Sequence, residues 1–215
     1  MILYSDDTSP YCAPVRAAIY AKGLGLAIEA PPGGVKSDEY KALSITGTIP
    51  ALKLDDGSVL PESAVILGYL DEKFPDNPLR PADAEGRARV ALVQRLAEQG
   101  VLGPLVQLFH DFSAGLGDTA RDKAREALTV GLTRLEAVVS AEGYACGPDF
   151  TLADCILAPA LFGVIAWAPG LGDPELLTRH HKLIGYFPRA AAHPAIAKVL
   201  GELQTALAAS GVSLG

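Results

Sequence analysis

The chain has 215 residues and a formal net charge of −7, with 49% of its residues hydrophobic and 20% charged. That length holds one large or two small domains around a buried core, and the composition is not that of a disordered or fibrous chain. The acidic balance, without any run of basic residues, argues against nucleic acid or an anionic membrane as partner, and no apolar run reaches the roughly 18 residues of a membrane span.

Residues 1–4 are apolar and lead into the polar turn Ser5-Asp6-Asp7-Thr8, which reads as a first strand delivering the chain to a loop. Pro14, Val15, Ala18, Ile19 and Ala21 follow at helical spacing up to Lys22-Gly23, where glycine provides the stop. Residues 26–29 read as a second strand, so strand, helix and strand form a parallel crossover unit. After the Pro31-Pro32-Gly33-Gly34 loop, a short helix is expected from Ser37 through Leu43. Ala51, Leu52 and Leu54 carry a third strand, Asp55-Asp56-Gly57 a hairpin turn, and Val59-Leu60 a return strand. Pro61 should stop the pairing because it has no N–H to give. Glu62 and Ser63 then open a helix carrying Val65, Ile66, Tyr69 and Leu70. The order βαβαββα over residues 1–75 predicts an α/β, thioredoxin-like domain with a mixed four-stranded sheet.

Residues 74–81 form a proline-rich break, and a linker is placed at 76–82 ahead of an all-α helical domain at 83–215. Residues 83–112 carry Val90, Val93, Leu96, Ala97, Leu102, Leu105 and Leu108, with Gly100, Gly103 and Pro104 placed to bend or break the helix. Residues 118–141 repeat the periodicity through Ala124, Leu128, Leu132, Leu135 and Val139, and the two segments should pack antiparallel. Thr151 and Asp154 have the spacing of a capping box for a helix over 152–166, with Phe150 set to staple against Cys155 or its neighbours. Helices over 174–192 and 194–209 complete the chain.

Two places carry chemistry. The helix start at Glu62-Ser63 has free N–H groups and a partial positive charge suited to a carboxylate, beside a glutamate suited to an ammonium group. The loop Ser9-Pro10-Tyr11-Cys12 precedes the first helix, where a thiolate is favoured for the same reason. The run Ile49-Pro50-Ala51-Leu52, Asp55-Asp56-Gly57, Leu60-Pro61-Glu62-Ser63, Ile66 and Tyr69-Leu70 resembles the glutathione-binding half of the cytosolic glutathione S-transferases, and Tyr186-Phe187-Pro188-Arg189 with His193-Pro194-Ala195-Ile196 resembles their closing segment.

That resemblance implies a cis Pro50, a backbone contact from Ile49 to the cysteinyl part of glutathione, and Glu62 and Ser63 holding its γ-glutamyl end. It implies glutathione as co-substrate, a hydrophobic electrophilic small molecule as its partner in reaction, and a homodimer. Ser9 stands where glutaredoxins carry the first cysteine of Cys-Pro-Tyr-Cys, and serine-type transferases use such a hydroxyl to stabilise the glutathione thiolate. Ser9 is therefore the expected catalytic residue, and the Ser-Pro-Tyr element also resembles bacterial glutathione-dependent β-etherases. A helix-capping role for Ser9 stands beside this one.

Rival activating groups are Tyr4, Tyr11 and Cys12, the last through thiol transfer or deglutathionylation; a non-catalytic glutathione- or ligand-binding module is a further alternative. Thr48 replaces the Lys or Gln frequent in the family, leaving Lys36, Lys41 or Lys53 to meet the glycyl carboxylate. Phe109, His110, Phe112 and Trp167 are expected around the electrophile. Cys12, Cys146 and Cys155 are an odd number without metal-ligand spacing; with an N-terminus that lacks a signal pattern, they point to a reducing, cytoplasmic setting with no metal.

Overall fold

The computed structural model describes residues 1–113 and 117–209, without the side chains of Phe112 and Ser113. Its first half runs β1 (Ile2–Tyr4), α1 (Cys12–Ala21), β2 (Ala27–Glu29), α2 (Asp38–Leu43), β3 (Ala51–Lys53), β4 (Val59–Pro61) and α3 (Ser63–Lys73). The four-stranded sheet has the order β2-β1-β3-β4. β1 lies parallel to β2 and antiparallel to β3, which pairs antiparallel with β4. This is the predicted α/β thioredoxin-like arrangement. Pro61 does not stop the pairing as expected: it is the last residue of β4, opposite Ala51. Because β4 is an edge strand, a missing N–H there need not break a ladder.

Helix α1 starts two residues before Pro14, with Pro14 inside its first turn, where a proline is tolerated. It has almost no exposed face, since every residue from Cys12 to Ile19 is buried, Arg16 included. One side meets the sheet and α3; the other meets the helical half. That half comprises α4 (Ala84–Ala97), a π-helical segment (Glu98–Leu102), α5 (Gly103–Ser113), α6 (Asp118–Val138), α7 (Leu152–Trp167), α8 (His181–Ala191) and α9 (Pro194–Ala209). α1 packs on α7 and α9, so Leu3, Ile19 and Leu52 share one apolar cluster with Leu128, Leu157 and Val199.

The expected bend near Gly100 takes a specific form. The helix does not break; it widens into the π-helical segment, where the Gly103 N–H donates to the Glu98 carbonyl. Pro104 follows at the second residue of α5, directly after the wide turn. The widening brings Gly100 against Gly131 of α6, close enough that a Cβ on Gly100 would lie 2.9 Å from the Gly131 Cα. The predicted core positions of α4, α5 and α6 are buried apart from the half-buried Leu96.

Two further expectations are corrected. Residues 174–180 form turns, closed by Leu176 N–H to Asp173 O and His180 N–H to Leu177 O, so the helix begins only at His181. The Thr151 capping box is present, with the Thr151 N–H donating to the Asp154 carboxylate at 2.8 Å. Phe150, however, stacks on His193 at 3.8 Å and meets Tyr144 edge-on rather than reaching Cys155.

The proline-rich linker is anchored by Asp71. Its carboxylate accepts from Lys22 Nζ at 3.0 Å, the Leu79 N–H at 2.8 Å and Arg80 Nε at 2.9 Å. Burial pushes this carboxyl up, but the Leu79, Arg80 and Lys22 donors outweigh it and hold it below the usual carboxylate value. Lys22 has no exposed side-chain surface and also donates to the Asn77 carbonyl at 2.8 Å.

Asp71→Asn should therefore lower stability by about 3–5 kcal/mol in urea unfolding, because it leaves a buried ammonium without its counter-charge; a change under about 1 kcal/mol would remove this anchor from the account. Gly131→Ala should cost about 1–3 kcal/mol by forcing the Gly100 backbone away. Gly201→Ala in α9, where a Cβ meets open space, should be neutral or stabilising by up to about 1 kcal/mol.

Candidate functional site

A cavity of about 230 Å³ lies where the two halves meet, lined by Tyr11, Thr48, Ile49, Pro50, Glu62, Ser63 and Glu98. Four of these, Ile49, Pro50, Glu62 and Ser63, are the residues singled out in the sequence for ligand contact. The Ile49–Pro50 peptide is cis. The segment ahead of it is held by Tyr40, whose hydroxyl donates to the Thr48 carbonyl at 2.8 Å, and by a Thr46–Thr48 hydroxyl contact, also at 2.8 Å.

Glu62 has φ 72° and ψ 115°, a conformation that glycine adopts freely and that costs another residue about 1–3 kcal/mol. Its side chain caps nothing; only its carbonyl is used locally, accepting from the Ile66 N–H at 2.9 Å. A glutamate held where glycine would relax the chain points to a use for the carboxylate. Ser63 begins α3 and is buried, so cavity and helix N-terminus coincide.

The turn ahead of α1 carries the other expected residues. Ser9 is half-buried, and its hydroxyl oxygen accepts from the Cys12 N–H at 3.3 Å. Its carbonyl accepts from Cys12 and Ala13 at 3.1 and 3.2 Å. A hydroxyl that accepts in this way keeps its own hydrogen to donate. Ser9 is not itself among the cavity-lining residues; Tyr11, two residues on, is. The Tyr11 phenol is pushed above its ordinary value by burial and then by the negative charges of Glu98 and Glu62, so it stays a neutral donor. Tyr4 is buried edge-on against Tyr40, with ring centroids 5.7 Å apart, and has a packing role.

Arg16 fixes this turn from below. Its buried guanidinium is ion-paired with Asp7 and donates to the Asp7 carbonyl at 3.3 Å, and it faces Glu202 of α9 at 3.5 Å. Tyr20 donates to the same Glu202 at 2.8 Å while Lys198 sits 3.7 Å over its ring. The C-terminal helix thus braces the loop that presents Ser9 and Tyr11.

Other expected groups lie elsewhere. Cys12 is fully buried, and burial pushes its thiol up despite the neighbouring Ser9 hydroxyl. Lys36 and Lys41 are exposed and Lys53 is half-buried, and none of them lines the cavity. Nor do Phe109, His110 or Trp167; the side chain of Phe112 falls outside the described residues. The residue missed in the sequence is Glu98. It lies on the π-helical segment, and its only sequence cue was a charge at the end of an apolar stripe, beside the glycine that marks the bend. Among the described residues there is no group of His, Cys, Asp or Glu that could hold a metal ion, and no helix is long and apolar enough to cross a membrane.

Residues 3–78 match the family described as glutathione S-transferase, N-terminal domain, and residues 118–201 match glutathione S-transferase, C-terminal domain. The chain belongs to the glutathione S-transferase family. It is 33% identical over 164 residues to a stringent starvation protein A homolog of Coxiella burnetii, covering 75% of each chain. It is 31% identical over 205 residues to the maleylacetoacetate isomerase of Pseudomonas aeruginosa, covering 89% of this chain and 91% of that one. Among solved structures, a glutathione S-transferase from Methylobacterium radiotolerans in complex with glutathione sulfonate superposes with a TM-score of 0.78 at 26% identity, over 92% of this chain and 93% of that one. The family and fold place the protein among glutathione-dependent enzymes.

The cysteines give a direct check on which group can act as a nucleophile. With iodoacetamide at pH 8, native protein should leave buried Cys12 and Cys155 unmodified. Cys146, pushed from 9.0 to about 11 chiefly by burial, should react roughly 100-fold more slowly than an unperturbed thiol, because two pKa units cut the thiolate fraction by that factor. Unfolding in urea should expose all three. Rapid native labelling at Cys12 would return thiol transfer to consideration.

Proposed function

We propose that the protein is a glutathione transferase in which Ser9 stabilises the thiolate of bound glutathione for attack on an electrophilic carbon. The observation that carries this reading is the cavity itself, which joins the cis Ile49–Pro50 peptide, the Glu62-Ser63 helix start and the turn ahead of α1. Glutathione has an ammonium and a carboxylate at its γ-glutamyl end. Glu62 would pair with the first, while Ser63 and the free N–H groups of α3 would hold the second. The Ile49 backbone would pair with the cysteinyl residue and aim its sulfur at the loop before α1.

The thiol proton leaves to solvent, and the Ser9 hydroxyl donates a hydrogen bond to the sulfur without being consumed. Its own acceptance from the Cys12 N–H at 3.3 Å polarises the O–H toward the ligand. Thiol transfer through Cys12 is disfavoured by its burial and raised pKa. Among the described residues no lysine or arginine lines the cavity, so the glycyl carboxylate would lack a close cation and affinity for glutathione would be modest.

The same absence favours a second reading as a glutathione- or ligand-binding module without turnover. The electrophile would be a hydrophobic small molecule and the setting cytoplasmic. A homodimer would cover the exposed Val65 of α3 and Leu92 of α4.

An ultraviolet difference titration of bound glutathione separates the two readings. The unmodified protein should show a thiolate signal well below the pKa of the free thiol. Ser9→Ala should raise that pKa by about 1–2 units, the equivalent of a hydrogen bond to a charged group, and slow conjugation near neutral pH about tenfold to a hundredfold. Glutathione binding with no thiolate in the unmodified protein would leave the binding-module reading standing alone.

A further inference from the structure

We infer that Glu98 is a specificity-determining residue that directs the site to uncharged or cationic electrophiles and turns away anionic ones. The inference rests on the glutathione reading above and adds to it the class of the second substrate. Glu98 is the cavity-lining residue that the helical half contributes; the other lining residues belong to the first domain. The wall therefore carries two carboxylates, Glu62 and Glu98, a phenol, and neutral side chains, with no lysine or arginine.

In the glutathione complex the charge of Glu62 is met by the γ-glutamyl ammonium, whereas Glu98 has no such partner on the ligand. Its ion pair is with Arg95 at 3.0 Å, and the two ends differ: the Arg95 side chain is 63% exposed and that of Glu98 only 18%. The cation sits in solvent, where it screens weakly, while the carboxylate faces the cavity. Tyr11, Glu62 and Glu98 line one space, and the Tyr11 phenol, raised first by burial and then by Glu98 and Glu62, brings no compensating positive charge.

The position of Glu98 is also fixed. Its carbonyl accepts from the Gly103 N–H across the π-helical turn, and Gly100 abuts Gly131 with no room for a side chain between them. The backbone that carries the carboxylate is thereby held at the cavity wall. An electrophile bearing a carboxylate would meet it with the glutathione thiolate already in place. Like charges at such separations, in a partly buried cavity, amount to about a tenfold loss of affinity or more.

The test uses two S-conjugates of glutathione that differ only in charge, S-(propanoic acid)-glutathione and the corresponding propanamide, with glutathione itself as control. Binding is measured by calorimetry at pH 7.5 on the unmodified protein, Glu98→Gln and Arg95→Gln. The unmodified protein should favour the amide by about tenfold. Glu98→Gln should bring the two within about twofold, and Arg95→Gln should widen the gap by removing the screening cation. If all three ligands bind but the acid-to-amide ratio is the same in the unmodified protein and Glu98→Gln, this inference falls and the glutathione reading stands. If glutathione itself does not bind, the reading beneath falls and takes the inference with it.

Discussion

The burial of α1 on every side from Cys12 to Ile19 is the constraint on which the rest of the structure depends. A helix whose residues from Cys12 to Ile19 are all covered cannot belong to the sheet alone. Its second face needs α7 and α9, so the sheet domain and the helical domain share one apolar cluster. The site follows from this arrangement. The loop entering α1 necessarily lies where the two halves meet, and its residues look across at the π-helical segment of the second half. Arg16 is the polar consequence of the same burial, because an arginine in that position must have counter-charges. Asp7 on the loop and Glu202 on α9 provide them, so the tether between the halves ends on the turn ahead of α1.

Burial also explains why a cap and a donor need not be competing roles for Ser9. Its oxygen lone pair meets the Cys12 N–H, which the Ser9 hydroxyl shares with the Ser9 carbonyl at the start of the helix. Accepting that bond does not use the hydroxyl hydrogen. A serine at this position can complete the helix and still act on a ligand. A cysteine one turn on cannot do the same: Cys12 lies inside the packed helix, where desolvation opposes the thiolate that its chemistry would need.

Much of this was legible in the sequence because it is local. The alternation of Ala51, Leu52 and Leu54 fixes β3, the Asp-Asp-Gly turn fixes the hairpin, and the spacing of Thr151 and Asp154 fixes a capping box, each within a few residues of chain. What the sequence hid was set by distant partners. Phe150 has suitable apolar neighbours at hand, yet it stacks on His193, which no local pattern indicates. Pro61 reads as a strand breaker until its place on the sheet edge is known. Residues 174–180 are apolar enough to extend a helix, but Asp173 closes a turn and binds Arg179 Nη1 at 2.9 Å instead.

Glu98 was the costliest omission, and its cause is specific. Helical periodicity assumes 3.6 residues per turn, and one wide turn shifts every later residue around the axis relative to that template. A charged residue at the junction then has no legible face: counted from α4 it lies on one side, counted back from α5 on another. The glycines at 100 and 131 were visible, but their meaning, a backbone contact that fixes the wide turn in place, needed the α6 partner. The part of the cavity lined by Ile49, Pro50, Glu62 and Ser63 is thus written in a short stretch of chain, and the wall that Glu98 adds is written in the packing of α6 on the π-helical segment. In physical terms, changes at a helix junction can alter that wall of the cavity while the cis peptide and the Glu62-Ser63 start are left untouched.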